Sequence, residues 1–143
     1  MLGSRKAALG WDGFTLVELL VVLAILGMLA ALVGPQVLNQ LGGAKSKSAQ
    51  IQIRDLEQAL ELYKLDVGRF PNSGEGLEAL VAAPGSARGW NGPYLKKEDV
   101  PLDPWGNDYR YRSPADTASG FEIISFGSDG RAGGSGEASD VSN

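Results

Sequence analysis

The chain has 143 residues, a formal net charge of −4, and neither cysteine nor histidine. The lack of these two residue types excludes disulfides, thiolate metal sites and every catalytic triad that uses imidazole. The 13 basic residues are scattered among 17 acidic ones without a basic run, so the charge pattern of a nucleic-acid-binding protein is also missing. The length allows one domain with a short appendage.

The first predicted element is an apolar helix over residues 14–34. Its only ionisable side chain is Glu18, and residues 19–33 carry no polar side chain at all. At about 1.5 Å per helical residue, this segment would be roughly 31 Å long, which is the thickness of a bilayer core. The sequence therefore predicts a segment that can cross a membrane.

Three interpretations of this apolar segment are open. A secretory signal peptide needs a small-residue cleavage site, and residues 24–34 contain no A-x-A triplet. A simple membrane anchor explains the length but not Glu18, because an unpaired carboxylate in hydrocarbon costs a few kcal/mol. The third interpretation is cleavage between Gly13 and Phe14, which leaves the apolar helix on the mature protein.

The stretch from Gly13 to Pro35, GFTLVELLVVLAILGMLAALVGP, resembles the N-terminal signature of type IV pilin-like proteins. The resemblance implies that a prepilin peptidase cuts after Gly13 and that the new terminal residue, Phe14, is N-methylated. Residues 1–13 are then a leader peptide, and Glu18 and Pro35 occupy characteristic family positions. The cut would create a cationic amine on Phe14, which the Glu18 carboxylate of a neighbouring subunit could neutralise as helices stack.

After Pro35 the pattern becomes amphipathic. Apolar side chains recur at steps of three and four residues, at Ile53, Leu56, Leu60 and Tyr63. This spacing predicts a helix that buries one face against a core. Pro35 is expected to bend or loosen the helix because it removes a backbone hydrogen bond, and Gly42 and Gly43 weaken it again.

Shorter elements follow the helix. Residues 76–83 predict a short second helix, and residues 85–104 a loop whose aromatic side chains hold it on the first helix. Two short strands are predicted around residues 109–111 and 121–124. The expected fold is α+β: a long N-terminal helix packed at its C-terminal half against a small antiparallel β-sheet.

Three further stretches, at residues 68–81, 92–111 and 124–130, resemble the major pseudopilins of type II secretion systems, most specifically through DPWGNDY. The resemblance implies a non-enzymatic structural subunit that polymerises with copies of itself into a periplasmic filament promoting export of folded proteins. Its other partners would be prepilin peptidase, minor pseudopilins and an inner-membrane assembly platform, with no nucleic acid. Before assembly it would be a single-pass bacterial inner-membrane protein, with residues 14–35 as the hydrophobic helix and residues 36–143 as a periplasmic head.

Residues 127–143 form a glycine-rich tail whose only large apolar side chain is Val141, so the tail cannot order itself by burial. Three carboxylates, those of Asp129, Glu137 and Asp140, lie within it. Hard oxygen donors in a flexible loop suit calcium better than magnesium or zinc. A solvated acidic tail explains the same composition.

The resemblance to pseudopilins implies that Ca²⁺ stabilises this C-terminal loop. Two side-chain carboxylates and two main-chain carbonyl groups would hold the ion, namely those of Asp129, Asp140, Phe126 and Arg131. The family carries more acids just before its last aspartate, so the Glu137 side chain or the Ser139 oxygen is predicted to replace the missing ligand.

Two other functions remain open from the sequence. One is a major or minor type IV pilin that serves adhesion, motility or DNA uptake, although major pilins usually close a C-terminal loop with a disulfide, and this chain has no cysteine. The other is a membrane-anchored hydrolase that uses Asp103, Asp108 or Asp129 as acid and base.

Overall fold

The computed structural model describes Gly3 and residues 13–143. The chain divides into two compact units, the first ending at Val37 and the second beginning at Leu38. The predicted leader peptide lies outside the described residues, except for Gly3 and Gly13.

The main element is a 52-residue helix, α1, which runs from Leu16 to Val67. Thr15 caps its N-terminus, because the backbone N–H of Glu18 donates to the Thr15 hydroxyl at 3.2 Å. The helix includes Pro35, where the sequence predicted a weakening. The helical conformation continues through Pro35, so the lost backbone bond is a local cost.

In the first unit, the described residues leave α1 uncovered. Every side chain from residue 14 to residue 33 is exposed, including Leu16 and Met28 at 75% and 74%. This part of α1 is long and apolar enough to cross a membrane, judged by length and composition. So much exposed apolar surface requires lipid or another protein chain to cover it.

In the second unit, α1 presents its amphipathic face to a core. All four residues of the predicted stripe are buried, and Ala49 and Ala59 are buried beside them. They pack with side chains from the rest of the unit, among them Leu77, Leu80, Phe121 and Ile123. The predicted helix–core packing is therefore confirmed.

Three short strands form one antiparallel sheet in the order β1-β2-β3. They are β1 (Arg110–Arg112), β2 (Glu122–Ser125) and β3 (Val141–Ser142). Tyr111 is opposite Ile123, and Ser125 is opposite Val141. The first two strands confirm the prediction, whereas β3 was not predicted, because two residues are too few for a period-two pattern.

The remaining chain forms turns and loops around this sheet. The predicted second helix is a single 3₁₀ turn, Leu77–Leu80. In the following loop, the Trp90 indole N–H donates to the Ala79 carbonyl at 2.7 Å. The Tyr94 hydroxyl donates to the Asp66 carboxylate of α1 at 2.7 Å. Aromatic side chains thus hold the loop, as predicted.

Candidate functional site

The predicted processing site immediately precedes α1. Gly13 and Phe14 are exposed and lie outside regular secondary structure. Glu18 lies in the first turn, where a carboxylate is favoured by the positive end of the helix dipole. The T-x-x-E spacing that identifies this cap is visible in the sequence, and Thr15 is the site residue that the sequence analysis missed. Glu18 therefore also stabilises the start of its own helix.

Pro35 does not lie near this cap. It is exposed and belongs to the same helix, seventeen positions after Glu18, which corresponds to roughly 26 Å along the axis. The structure therefore assigns the two characteristic family positions to opposite ends of the apolar segment.

The C-terminal loop, residues 127–140, contains two 3₁₀ turns, Gly127–Asp129 and Gly136–Ala138, which pack against each other. The loop continues into β3, where Val141 is buried. The glycine-rich tail cannot order itself by burial, so another part of the chain must hold it. In the structure, pairing of β3 with β2 holds its end.

Gly127 is the start of this loop and is tightly enclosed. Its φ is +68°, and a Cβ there would lie 2.6 Å from the Glu137 carbonyl oxygen and 2.9 Å from that of Ser139. Its own carbonyl accepts a hydrogen bond from the Asn107 amide at 3.1 Å. Only glycine combines this backbone conformation with this close approach.

A buried carboxylate, that of Asp103, holds the chain near Gly127 in place. Asp103, only 4% exposed, accepts the backbone N–H groups of Trp105 at 3.0 Å and Asn107 at 2.8 Å on one oxygen. Its other oxygen accepts the Ser125 hydroxyl at 2.7 Å, and the Gly127 N–H donates to that hydroxyl oxygen at 3.3 Å. We call Asp103, Asn107 and Ser125 the loop anchor.

The loop anchor was not predicted, although the DPWGN run contains its turn signal. An aspartate followed by Pro, Gly and Asn favours a turn closed by the aspartate side chain. The carboxylate also acts on its surroundings: burial and the nearby Asp103 charge together raise the pKa of Tyr109 above its ordinary range.

Two of the predicted metal ligands, Asp129 and Asp140, both accept hydrogen bonds from the backbone of residues 131–133. The Asp129 carboxylate accepts the Arg131 N–H at 3.0 Å, and the Asp140 carboxylate accepts the Gly133 N–H at 2.9 Å. Each carboxylate uses one oxygen for these bonds. The ring of Phe126 lies under the Arg110 guanidinium, with 5.9 Å to the ring centroid.

The Glu137 side chain lies elsewhere, against the backbone of α1 at Gly42. Among the described residues, no group of three or more acidic side chains is placed to hold a metal ion. Calcium needs six to eight oxygens, so Asp129 and Asp140 fit an ion only if carbonyl groups and water supply the rest. The carbonyls of Glu137 and Ser139, which converge over Gly127, are of the right chemical type.

The acids considered for hydrolysis have different surroundings. Asp103 is buried and all its hydrogen bonds serve the loop anchor, while Asp108 and Asp129 are exposed. The geometry of these three residues is that of a structural carboxylate and two solvated ones.

An apolar helix that follows a cleavage motif and continues into an α+β head defines the class of pilin-like proteins. Residues 12–34 match the model of the prokaryotic N-terminal methylation motif. Residues 36–143 match the model of type II secretion system protein G. The chain belongs to this protein G family, so the resemblance identified in the sequence is confirmed.

Curated relatives and a solved structure agree with this assignment. The type II secretion system core protein G of Pseudomonas aeruginosa is 46% identical over 136 residues, covering 92% of this chain and 94% of the relative. That of Vibrio cholerae is 43% identical over 134 residues, covering 92% and 90%. The major pseudopilin of enterohaemorrhagic Escherichia coli superposes with a TM-score of 0.64 at 29% identity, covering 76% of this chain and 94% of that one.

Proposed function

We propose that this chain is the repeating structural subunit of a type II secretion pseudopilus. The observation that carries the proposal is the exposed apolar stretch, residues 19–33 of α1, in a chain of the protein G family. Lipid covers this stretch in the inner membrane before assembly, and neighbouring copies cover it in the periplasmic filament. Burial of the same apolar surface against protein supplies the association energy.

The N-terminal residues set the register of assembly. Cleavage after Gly13 and methylation leave a cationic amine on Phe14, one residue before the helix cap. The Glu18 carboxylate of an adjacent copy neutralises that amine, because an unpaired charge in an apolar filament core would be costly. The matched methylation motif supports this step.

Filament formation needs no catalysis by this subunit. The subunit meets its partners during processing and assembly. Filament growth takes place at the inner-membrane assembly platform with minor pseudopilins, after prepilin peptidase has removed the leader. A type IV pilin with adhesive or DNA-uptake function is not favoured, because the matched family model and the relatives all belong to type II secretion.

Two variants of the helix cap test the assembly mechanism. Glu18→Gln keeps the size of the side chain and the Thr15 cap and removes the charge, so we expect filament formation in a reconstituted secretion strain to be lost. Thr15→Ala keeps the charge and removes the cap, at a cost of about 1 kcal/mol to the helix end, so filaments should still form. Electron microscopy and pelleting of sheared filaments measure both.

The proposal is refuted if Glu18→Gln assembles like the unchanged chain. The same samples should give identical near-ultraviolet circular dichroism, because the head, residues 38–143, contains neither substitution. Loss of assembly together with a changed head spectrum would point to misfolding instead.

We further propose that Ca²⁺ stabilises the C-terminal loop. Asp129 and Asp140 supply the side-chain ligands. The main-chain carbonyls of Phe126 and Arg131 and the Ser139 oxygen are the other predicted ligands. A bound ion would neutralise the two carboxylates and stiffen a glycine-rich segment.

Trypsin provides the test, because Arg131 is the last basic residue of the chain. Calcium should slow cleavage after Arg131 in the full chain in detergent, and a chelator should restore it. Asp129→Asn should lose this calcium dependence, whereas Asp108→Asn, an exposed acid outside the loop, should keep it. Equal digestion with and without calcium would remove the metal from the account.

A further inference from the structure

Gly42 differs from the other glycines of α1, all of which lie within the described residues. At Gly27, Gly34 and Gly43 an added Cβ would meet nothing within 4 Å. At Gly42 it would overlap the Glu137 side chain, with the carboxylate Oε1 at 2.6 Å and Cδ at 2.9 Å. Gly42 is also buried, so a side chain from the C-terminal loop fills the space that a Cβ would take.

The position of Gly42 on the helix extends the core face. It precedes the buried Ala49 by seven residues, which is close to two helical turns and therefore the same side. Lys45 and Ser46 lie between Gly42 and Ala49 and are only half-buried, so they do not continue the buried core along this side of the helix. The C-terminal loop thus covers α1 beyond the end of the apolar core.

Glu137 is held from two sides. Its carbonyl oxygen lies over Gly127, 2.6 Å from where a Cβ would be, and its side chain lies over Gly42. Both glycines are therefore needed for close approach, one in the loop and one in the helix. Glu137 as a whole is half-buried.

We propose that Gly42 is a docking notch for Glu137, and that this contact clamps the C-terminal loop shut against α1. Glycine in a helix interior is unfavourable relative to alanine. The contact with Glu137 explains why a glycine occupies position 42, whereas no such contact exists at Gly43. The clamp needs no metal ion, so its test is run in chelator and is independent of the calcium proposal. While the clamp is closed, the Glu137 side chain is held at the helix.

Two alanine substitutions at adjacent positions test the notch. Gly42→Ala and Gly43→Ala both improve helix propensity, but only Gly42→Ala pushes Glu137 away. The rate of trypsin cleavage after Arg131 follows the population of the open loop when opening is fast. The flexible end of Glu137 can swing away from an added methyl group, so only this contact is lost, and we expect Gly42→Ala to raise the rate about two- to fivefold and Gly43→Ala to leave it unchanged or lower it.

The measurement uses the full chain in detergent micelles with chelator. Each rate is divided by that of a free peptide spanning residues 126–143, which corrects for protease preference. Glu137→Ala removes the other half of the contact and should also speed cleavage. Because both substitutions break one contact, the double variant should be cleaved no faster than the faster single variant.

The outcomes separate cleanly. Equal rates for Gly42→Ala and Gly43→Ala would overturn the clamp, and so would effects of Gly42→Ala and Glu137→Ala that multiply in the double variant. Should Gly42→Ala fail to fold, Glu137→Ala alone decides. An unchanged cleavage rate in that variant would equally overturn the proposal.

Discussion

Two stretches of the same helix have opposite surroundings. Residues 19–33 are apolar on every side and exposed, whereas residues 49–63 have one apolar and one polar face and bury the apolar one. The hydrophobic pattern decides the difference: a helix that is apolar all round needs lipid or other helices, and an amphipathic helix needs a partner on one side only. The first stretch therefore serves assembly, and the second serves the fold of the head.

Exposed positions of α1 should tolerate substitution without harm to the fold of the head, whereas buried positions should not. Leu23 is 63% exposed and Leu62 is 51% exposed, while Leu60 is fully buried. All three are leucines on α1. Their different surroundings make them matched probes of the two stretches.

The largest expected effect is that of Leu60→Ala. Removing a fully buried leucine leaves a cavity and should lower the free energy of unfolding of the head by about 2–5 kcal/mol. Leu62→Ala and Leu23→Ala should each change it by less than about 0.5 kcal/mol. Denaturant unfolding of the full chain in detergent, followed by tryptophan fluorescence, measures all three. Comparable losses for Leu60→Ala and Leu23→Ala would break the comparison.

A second probe is Asp103→Ala, which removes the carboxylate of the loop anchor. Two backbone N–H groups and the Ser125 hydroxyl lose their acceptor, so we expect a loss of about 1–3 kcal/mol. Asp108→Ala, at an exposed position, is the control and should be close to neutral. The same unfolding experiment applies. A neutral Asp103→Ala would mean that the anchor does not stabilise the head.

The smallest effect concerns acid stability. Both oxygens of Glu75 accept hydrogen bonds from Arg69 at 2.7 Å, which is the main reason that the pKa of Glu75 is lowered to about 2. Because the folded-state pKa lies below the unfolded value of 4.5, the ionised pair stabilises the head above about pH 4.5. That contribution is lost as the pH falls toward 2.

Arg69 is 40% exposed, so solvent reduces the contribution to about 1–2 kcal/mol. Unfolding free energies of the unchanged chain and of Glu75→Gln, measured between pH 5 and pH 2, should differ at the upper limit and converge at the lower one. A constant difference across that range would contradict the assigned pKa. The pair lies entirely in the head, so the apolar stretch should not affect the result.

The sequence predicted those features that periodic patterns encode. The stripe from Ile53 to Tyr63 fixed the packing of the helix, and the strands at residues 109–111 and 121–124 were recognisable from their aromatic and branched side chains. The exposed apolar stretch followed from composition alone. Each of these features depends on residues that are close together in the sequence.

Contacts between distant segments could not be predicted in this way. The strand β3, the loop anchor at Asp103 and the contact of Glu137 with Gly42 each join segments that are far apart in sequence. A two-residue strand has no period, and a glycine gives no indication of which side chain will fill its space. Thr15 was the exception, since its capping spacing was present in the chain and was overlooked.

The proposed function requires that the working protein retains the apolar stretch. Mass spectrometry of the protein purified from its native cell envelope tests this directly. We expect a chain that begins at Phe14, with one methyl group on its amine and the whole of α1 retained. A mass that includes residues 1–13, or a terminus beyond residue 33, would contradict the account.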